Sequence, residues 1–199
     1  MKEPKNIHAE IDRLQEQLED YWDYCRERFD YTVRNGRVRF DQAVKAAHQN
    51  YRINLLPYIA RARPSHVLTA PFIYGMVVPL ALFDIFLSIY QHICFRAYRI
   101  PRVRRRDYFV IDRHQLSYLN GLEKLNCVYC SYGNGMVAFA REVLARTEQY
   151  WCPIKHARKI KAVHSRYAKF ADYGDAKNYR GHLDSLRRDL KEEKTQEEG

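Results

Sequence analysis

The C-terminal half of the chain is organised around Asn126 to Gly135, N-C-V-Y-C-S-Y-G-N-G, and Arg146 to His156, R-T-E-Q-Y-W-C-P-I-K-H. This stretch contains a C-x2-C pair, a spacer of 21 residues and a C-x3-H pair. Two close pairs of soft ligands are the pattern of a tetrahedral metal site, and three thiolates with one imidazole suit zinc. We therefore expect a structural zinc site, with iron as the alternative metal. Its ligands would be Cys127, Cys130, Cys152 and His156.

Two glutamates stand four residues before cysteines of this pattern, Glu123 before Cys127 and Glu148 before Cys152. On a helix, each glutamate would share a face with the cysteine that follows it. We expect them either to orient the ligands through hydrogen bonds or to pair with neighbouring cations. Glutamate is common on helices, so the spacing also fits chance.

The closed ligand set bears on the reaction class. A Cys3His site leaves no open position for water, which argues against hydrolysis at the metal. Bound iron, or a reversible Cys127–Cys130 dithiol, would instead support a redox or electron-transfer role. An enzyme acting on a membrane substrate would need Asp112, His114 and Glu148 to converge on one cleft. The chain contains no nucleophile elbow and no phosphate-binding loop, so we favour a non-enzymatic function.

The composition indicates which cellular compartment and which kinds of partner to expect. The chain has 199 residues, five cysteines and a formal net charge of +10. The first residues are charged rather than an apolar signal core, so we expect reduced thiols in a protein that faces the cytosol. The basic balance favours an anionic partner, either a phospholipid surface or a nucleic acid.

The N-terminal segment predicts two helices. Residues 6–34 carry an apolar seam at alternating spacings of four and three, which is a heptad pattern. A second helix is expected over residues 40–59, and the two could form an antiparallel hairpin. The first helix either dimerises as a coiled coil or packs on its own chain. The seam residues are Ile7, Ile11, Leu14, Leu18, Tyr21 and Cys25.

The most apolar stretch runs from Leu68 to Cys94, 27 residues with Asp84 as the single formal charge. About 20 apolar residues span a bilayer, and one aspartate near the centre costs about 3 kcal/mol on insertion scales. Three interpretations stay open: a tilted or kinked transmembrane helix, a re-entrant hairpin turning near Pro79, and a buried core helix. Asp84 is expected to face a partner helix or a polar cavity, and direct contact with His92 is doubtful at a spacing of eight.

Six arginines follow the apolar stretch between residues 96 and 106 with no acid before Asp107. A polybasic run beside a membrane segment is attracted to anionic headgroups, and the denser positive flank usually lies in the cytoplasm. Nucleic acid is the rival partner for these charges, but no recognised nucleic-acid motif accompanies them. The expected lipid-binding residues are Arg102, Arg104, Arg105 and Arg106.

The remaining C-terminal sequence predicts further helices. We expect a short extended run at residues 108–111, a helix from about His114 and a turn at residues 132–135. A helix at residues 136–151, a basic helix at about 153–170 and a frayed or disordered tail from about residue 183 should follow.

The stretch from Asp107 to Ala157 resembles a family of small bacterial membrane-associated proteins of uncharacterised activity. The matching motifs are D-R-H at 112–114, Y-L-N at 118–120, E-K-L-N-C-V-Y-C at 123–130 and R-T-E-Q-Y-W-C-P-I-K-H-A at 146–157. The T-A-P segment at 69–71 fits as well. The resemblance covers about two thirds of the chain. It implies membrane association and no particular activity.

Together these patterns predict a mainly α protein in four parts. We expect a helical hairpin at residues 1–63, a membrane segment with its basic flank at 64–106, a metal-binding helical domain at 107–182 and a charged tail at 183–199. The protein would sit in the inner, cytoplasmic membrane with its C-terminal domain in the cytosol. It would act there as a scaffold or docking module with membrane lipids, a second copy of itself or another protein as partner.

Overall fold

The computed structural model describes residues 4–34 and 37–198, and it is mainly helical, as predicted. The chain divides into two compact units. Unit 1 comprises Met1–Arg61 and Asp112–Cys127, and unit 2 comprises Ala62–Ile111 and Val128–Gly199. Each unit is described separately below.

Unit 1 begins with one long helix. Its first elements are α1 (Pro4–Arg28), β1 (Tyr31–Arg34), β2 (Arg37–Phe40), α2 (Gln42–Gln49) and α3 (Leu55–Ala60). The predicted helix over 6–34 is wrong at its end, because the chain leaves the helix at Asp30, where φ is 49°. The β-branched and aromatic residues that follow favour a strand. β1 and β2 pair antiparallel, with Tyr31 opposite Phe40.

The second predicted helix, over 40–59, is also wrong, since α2 and α3 are separate short helices. The backbone is extended at Asn54, and Pro57 then falls in the first turn of α3, where proline is tolerated. The N-terminal segment is therefore one long helix, a strand hairpin and two short helices. A cluster of rings packs the strand hairpin on α2. The ring centroid of Phe40 lies 5.7 Å from that of Tyr31 and 5.5 Å from that of His48.

Where the predicted seam of α1 is described, Cys25 is half-buried and the other side chains have no cover within their own unit. Leu14, Leu18 and Tyr21 are exposed. Ile7 and Ile11 are among the residues whose side chains lie outside the described part. Coiled-coil pairing through this seam stays a prediction.

Unit 2 begins with an apolar helix of 35 residues, Pro64–Tyr98, in which the turn residue Met76 separates two α segments. Its parts are α4 (Pro64–Gly75), α5 (Val77–Tyr90), a π turn (Gln91–Phe95) and α6 (Arg96–Tyr98). Of the three interpretations left open, the hairpin turning near Pro79 does not form. Pro79 occupies the first turn of α5, where its missing N–H removes no helical hydrogen bond.

The chain then turns back through short 3-10 turns, at Arg105–Asp107 in unit 2 and at Arg113–Gln115 in unit 1. The expected extended run at 108–111 has no strand. Next comes α7 (Gly121–Trp151), an uninterrupted helix of 31 residues. The turn predicted at residues 132–135 is therefore wrong. Gly135 serves close packing instead, because a Cβ there would lie 2.9 Å from the carbonyl oxygen of Tyr108.

The basic helix predicted over 153–170 is wrong as well. Residues 152–164 are irregular, and only a 3-10 turn, Ser165–Lys169, follows. The predicted frayed tail is instead α8 (Tyr179–Glu198), which buries Leu183, Leu186 and Leu190.

The core of unit 2 lies where the end of the apolar helix, the returning chain, α7 and α8 meet. α7 supplies an apolar stripe at helical spacing, which a core-facing helix requires. The buried cluster consists of Leu87, Phe95, Ile100, Val103, Met136, Phe139, Ala140, Val143 and Leu190.

Candidate functional site

The four predicted metal ligands occupy two distant places. Cys127 and Cys130 stand one turn apart inside α7, Cys152 directly follows the end of α7, and His156 lies in the irregular loop beyond it. Cys130 and Cys152 are separated by 22 helical steps, which corresponds to about 33 Å along the axis at 1.5 Å per residue. Zinc–sulfur bonds are about 2.3 Å long, so these two thiols do not share one ion within a single chain.

The described residues contain no group of three or more histidine, cysteine, aspartate or glutamate side chains placed to hold a metal ion. His156 is stacked on Tyr167, with ring centroids 6.2 Å apart, and its backbone N–H donates to the Tyr167 hydroxyl. Burial, and then the nearby charge of Glu148, raise the pKa of the Cys152 thiol. Cys152 therefore remains a protonated thiol at neutral pH, which is the poorer form for binding a metal.

Each glutamate of the pattern has a structural partner. Glu123 accepts a hydrogen bond from the backbone N–H of Asn120, and the Asn120 side chain accepts from the N–H of Leu122 and of Glu123. This is a capping box that starts α7, and the N-x-x-E spacing of the sequence could have revealed it. Glu148 lies 3.0 Å from the Nε2 of His164.

A distance measurement tests the separation of the thiols directly. We expect spin labels on Cys130 and Cys152, with the other three cysteines changed to serine, to give a distance distribution centred at about 33 Å plus the label arms. A control pair on Cys130 and on Leu144→Cys, both exposed on α7, should give about 21 Å. A Cys130–Cys152 distance near 10 Å would contradict the uninterrupted helix and restore the shared metal site.

The apolar helix is the most unusual surface of unit 2. Among the described residues it is the one helix that is long and apolar enough to cross a membrane, and only 6% of its most apolar window is buried. Of the three interpretations left open, a core helix buried within the described chain is therefore not what forms. Its exposed side chains include Leu68, Phe72, Val78, Leu82, Phe86 and Ile93.

Asp84, the single acid of this helix, is held by polar groups of unit 2. Arg105 donates from its two terminal guanidinium nitrogens to the two carboxylate oxygens of Asp84, with Nη2 to Oδ2 at 2.9 Å. The hydroxyl of Tyr132 on α7 donates at 3.1 Å, and that of Ser88 at 3.3 Å. Hydrogen bonding to Asp84 raises the pKa of Arg105, and burial raises that of Tyr132, so both keep their protons and donate. Asp84 therefore does face a neighbouring helix, as expected.

The four arginines predicted to bind lipid differ in the partners that they contact within the protein. Arg105 is paired with Asp84 and lies over the ring of Phe109 at 4.4 Å. Arg104 pairs with Asp107 at 3.1 Å, and Arg102 lies 3.2 Å from the ring nitrogen of His92. Among Arg104, Arg105 and Arg106, Arg106 is the most open, with 77% of its side chain exposed. Arg105 is thus part of the fold, while the others face outward.

Aromatic rings gather at the C-terminal end of the apolar helix. Tyr98 lies 5.3 Å from Tyr150 and 5.2 Å from Trp151, ring to ring. Tyr98 and Trp151 are both partly open to solvent. Tyrosine and tryptophan beside arginine are the usual composition where a helix leaves the hydrocarbon of a bilayer.

The residues proposed for an enzyme lie in different units. Asp112 and His114 belong to unit 1, where His114 lies in a 3-10 turn. Glu148 belongs to unit 2 and is bound to His164.

Sequence reasoning missed a charged network around Arg166. This guanidinium, 13% exposed, donates to Glu142 at 2.9 Å, to Gln149 at 2.8 Å and to Glu193 at 2.9 and 3.1 Å. Arg146 also donates to Glu142, and to the carbonyl oxygen of Pro101. The network joins α7, α8 and the returning chain. It ties α8 to α7 in the C-terminal part of unit 2.

Comparison with protein-family models, with curated proteins and with solved structures finds no match to this chain.

Proposed function

We propose that the protein is anchored in a membrane by the helix Pro64–Tyr98 and serves as a docking module at the cytosolic membrane face. The observation that carries the proposal is that the most apolar window of this helix is only 6% buried. Exposed apolar patches of more than a few hundred Å² indicate an interface with a membrane or another protein. A bilayer is the partner that suits a helix apolar on all sides.

The dimensions and charges support lipid as that partner. At 1.5 Å per residue the 35-residue helix is about 52 Å long, against about 30 Å for the hydrocarbon core of a bilayer. The helix is therefore long enough to cross with a tilt. Its one acid is neutralised by Arg105, which lowers the cost of placing a charge in lipid.

Two features support the orientation. Six arginines follow within residues 96–106, and the positive-inside rule assigns that flank to the cytosol. The rings of Tyr98, Tyr150 and Trp151 lie at the same end of the helix. Both features favour the cytosolic side for the C-terminal end of the helix.

The docking role is supported by α1. Its exposed seam at Leu14, Leu18 and Tyr21 has the spacing with which helices pair in coiled coils. A second copy of the chain, or a partner with a matching helix, would cover it.

Membrane fractionation tests the anchor. We expect the wild-type protein to stay in the pellet after carbonate extraction and to require detergent for release. Changing Phe72, Leu82 and Phe86, all exposed on the helix, to glutamate should move it to the supernatant, because each buried charge costs about 3 kcal/mol in lipid.

The matched control changes two exposed apolar residues of unit 2 outside the helix, Val110→Glu and Tyr173→Glu. It should leave the protein in the pellet. Release of the wild-type protein by carbonate alone would refute the anchor.

A further inference from the structure

The chain between α7 and α8 contains a closed loop with a cationic tip. Its ends are joined by a parallel bridge between Ile154 and Ala171. Two backbone hydrogen bonds, Lys155 N–H to Ala171 at 2.8 Å and Ala171 N–H to Pro153 at 2.9 Å, fix the bridge. A surface segment of this length with ends held together is an Ω loop.

Rings stiffen the base of this loop. Tyr167 is stacked with His156 and meets His164 edge-on at 5.9 Å. His164 also packs against Phe170 at 5.3 Å and bonds to Glu148. Arg141 of α7 donates to the carbonyl oxygen of Val163. The base is thus ordered against α7, and residues 157–162 are left as the tip.

The tip, A-R-K-I-K-A, is exposed throughout and carries Arg158, Lys159 and Lys161 around Ile160. No acid occurs between Glu148 and Asp172. Lys155 pairs with Asp172, and Arg166 with the network above. The three tip cations form no ion pair within the part of the chain that the structure describes. The tip is therefore a free positive surface with an aliphatic side chain at its centre.

The loop begins at the end of α7, beside the C-terminal end of the apolar helix. It follows Trp151, whose ring contacts Tyr98, and Arg96 and Arg99 are exposed at that same end. The tip is tethered to the end of unit 2 where the proposed anchor would meet the headgroups.

We propose that the tip at 157–162 is a second membrane contact that binds anionic phospholipid headgroups. Arg158, Lys159 and Lys161 bind the phosphates, and Ile160 enters the boundary between headgroups and acyl chains. This inference rests on the proposed membrane anchor and adds its preference for anionic lipid.

The composition of the tip favours lipid over nucleic acid. Proteins that bind single-stranded nucleic acid interleave aromatic side chains on which bases stack, and the tip has none. An exposed isoleucine between cations instead suits an amphipathic contact with a bilayer surface.

Tryptophan fluorescence in reconstituted bilayers tests the contact. The full chain, with Trp22→Phe and Trp151→Phe, would carry Ile160→Trp or, as control, Tyr173→Trp at an exposed position outside the loop. Each protein is floated with vesicles of brominated phosphatidylcholine, with or without phosphatidylglycerol. We expect emission from position 160 to be quenched in the anionic vesicles and much less in the neutral ones, and position 173 to be insensitive to both.

Changing Arg158, Lys159 and Lys161 to glutamine should remove the quenching at position 160 while the protein still floats. Unquenched emission at position 160 in floated anionic vesicles would overturn the loop contact and leave the anchor intact. Failure to float in either lipid would overturn the anchor and this inference with it. Quenching absent from vesicles, together with an RNA-dependent shift that the glutamine variant loses, would assign the tip to nucleic acid instead.

Discussion

Replacing Arg166 with alanine should destabilise unit 2 by about 3 kcal/mol, because the change breaks a buried charge network. Glu193 would lose its two hydrogen bonds from this guanidinium, and Gln149, which is 1% exposed, would lose the donor to its side-chain oxygen. Glu142 would keep only Arg146 as an ionic partner. The expected loss lies at the low end of the roughly 3 to 5 kcal/mol that breaking a buried ion pair costs, because Glu193 is partly open to water.

For a chain of this size, 3 kcal/mol corresponds to a fall in Tm of roughly 6 to 12 °C. Thermal unfolding in detergent, followed by circular dichroism, would measure it. Arg166→Lys should recover only part of the loss, because an ammonium cannot reproduce the planar fork that reaches three partners. Arg188→Ala, at an exposed position of α8, is the matched control and should leave Tm within about 1 °C. Equal melting of the Arg166→Ala and Arg188→Ala variants would show that the network does not support the fold.

This network also shows why the C-terminal part could not be derived from sequence alone. Arg166, Glu142 and Glu193 are separated by more than 20 residues in both directions. No local spacing relates them, and charged residues in a basic sequence are ordinarily assigned to solvent. Only the packing of α8 on α7 brings the three together.

The turn predicted at residues 132–135, which the structure replaces with helix, bears on the predicted metal site. Gly133-Asn134-Gly135 has the composition of a turn, and a turn there would have allowed the two ligand pairs to fold back on each other. In the structure Gly135 instead provides the space into which the backbone of Tyr108 packs. Once the helix continues through these residues, Cys130 and Cys152 are held about 33 Å apart.

The apolar helix, in contrast, could be predicted from sequence because its signal is compositional. A run of 27 residues with one charge identifies a helix candidate whatever surrounds it. The sequence left open whether other parts of the protein cover the helix. The partner of Asp84 could not be predicted from sequence either, since Arg105 lies 21 residues further along the chain, after the chain has changed direction.

Replacing Arg105 with leucine should be the most damaging single change around Asp84 of the proposed anchor. Asp84 has 13% of its side chain exposed and would keep only the hydroxyls of Tyr132 and Ser88 as donors. An unpaired carboxylate at membrane depth costs about 3 kcal/mol, and the contact of Arg105 with the Phe109 ring would be lost as well. We expect a large fall in Tm in detergent and less protein recovered in the membrane pellet.

Replacing Asp84 instead of Arg105 should reduce stability less. Asp84→Leu leaves Arg105 without its carboxylate, but that side chain is 44% exposed and its long stem can turn the charge toward water or a headgroup. The double variant Asp84→Leu, Arg105→Leu should be more stable than Arg105→Leu alone, since an apolar pair can replace a buried ion pair at little cost. The matched control is Arg106→Leu, one residue along and 77% exposed, which should change neither Tm nor membrane recovery. If Arg105→Leu and Arg106→Leu behave alike, or if the double variant is no better than Arg105→Leu, Asp84 is not neutralised by Arg105. We therefore expect the loss of stability to be largest for Arg105→Leu, smaller for Asp84→Leu and smallest for the double variant. That order would show that the fold keeps the Asp84 carboxylate in place, whereas the Arg105 side chain can turn away.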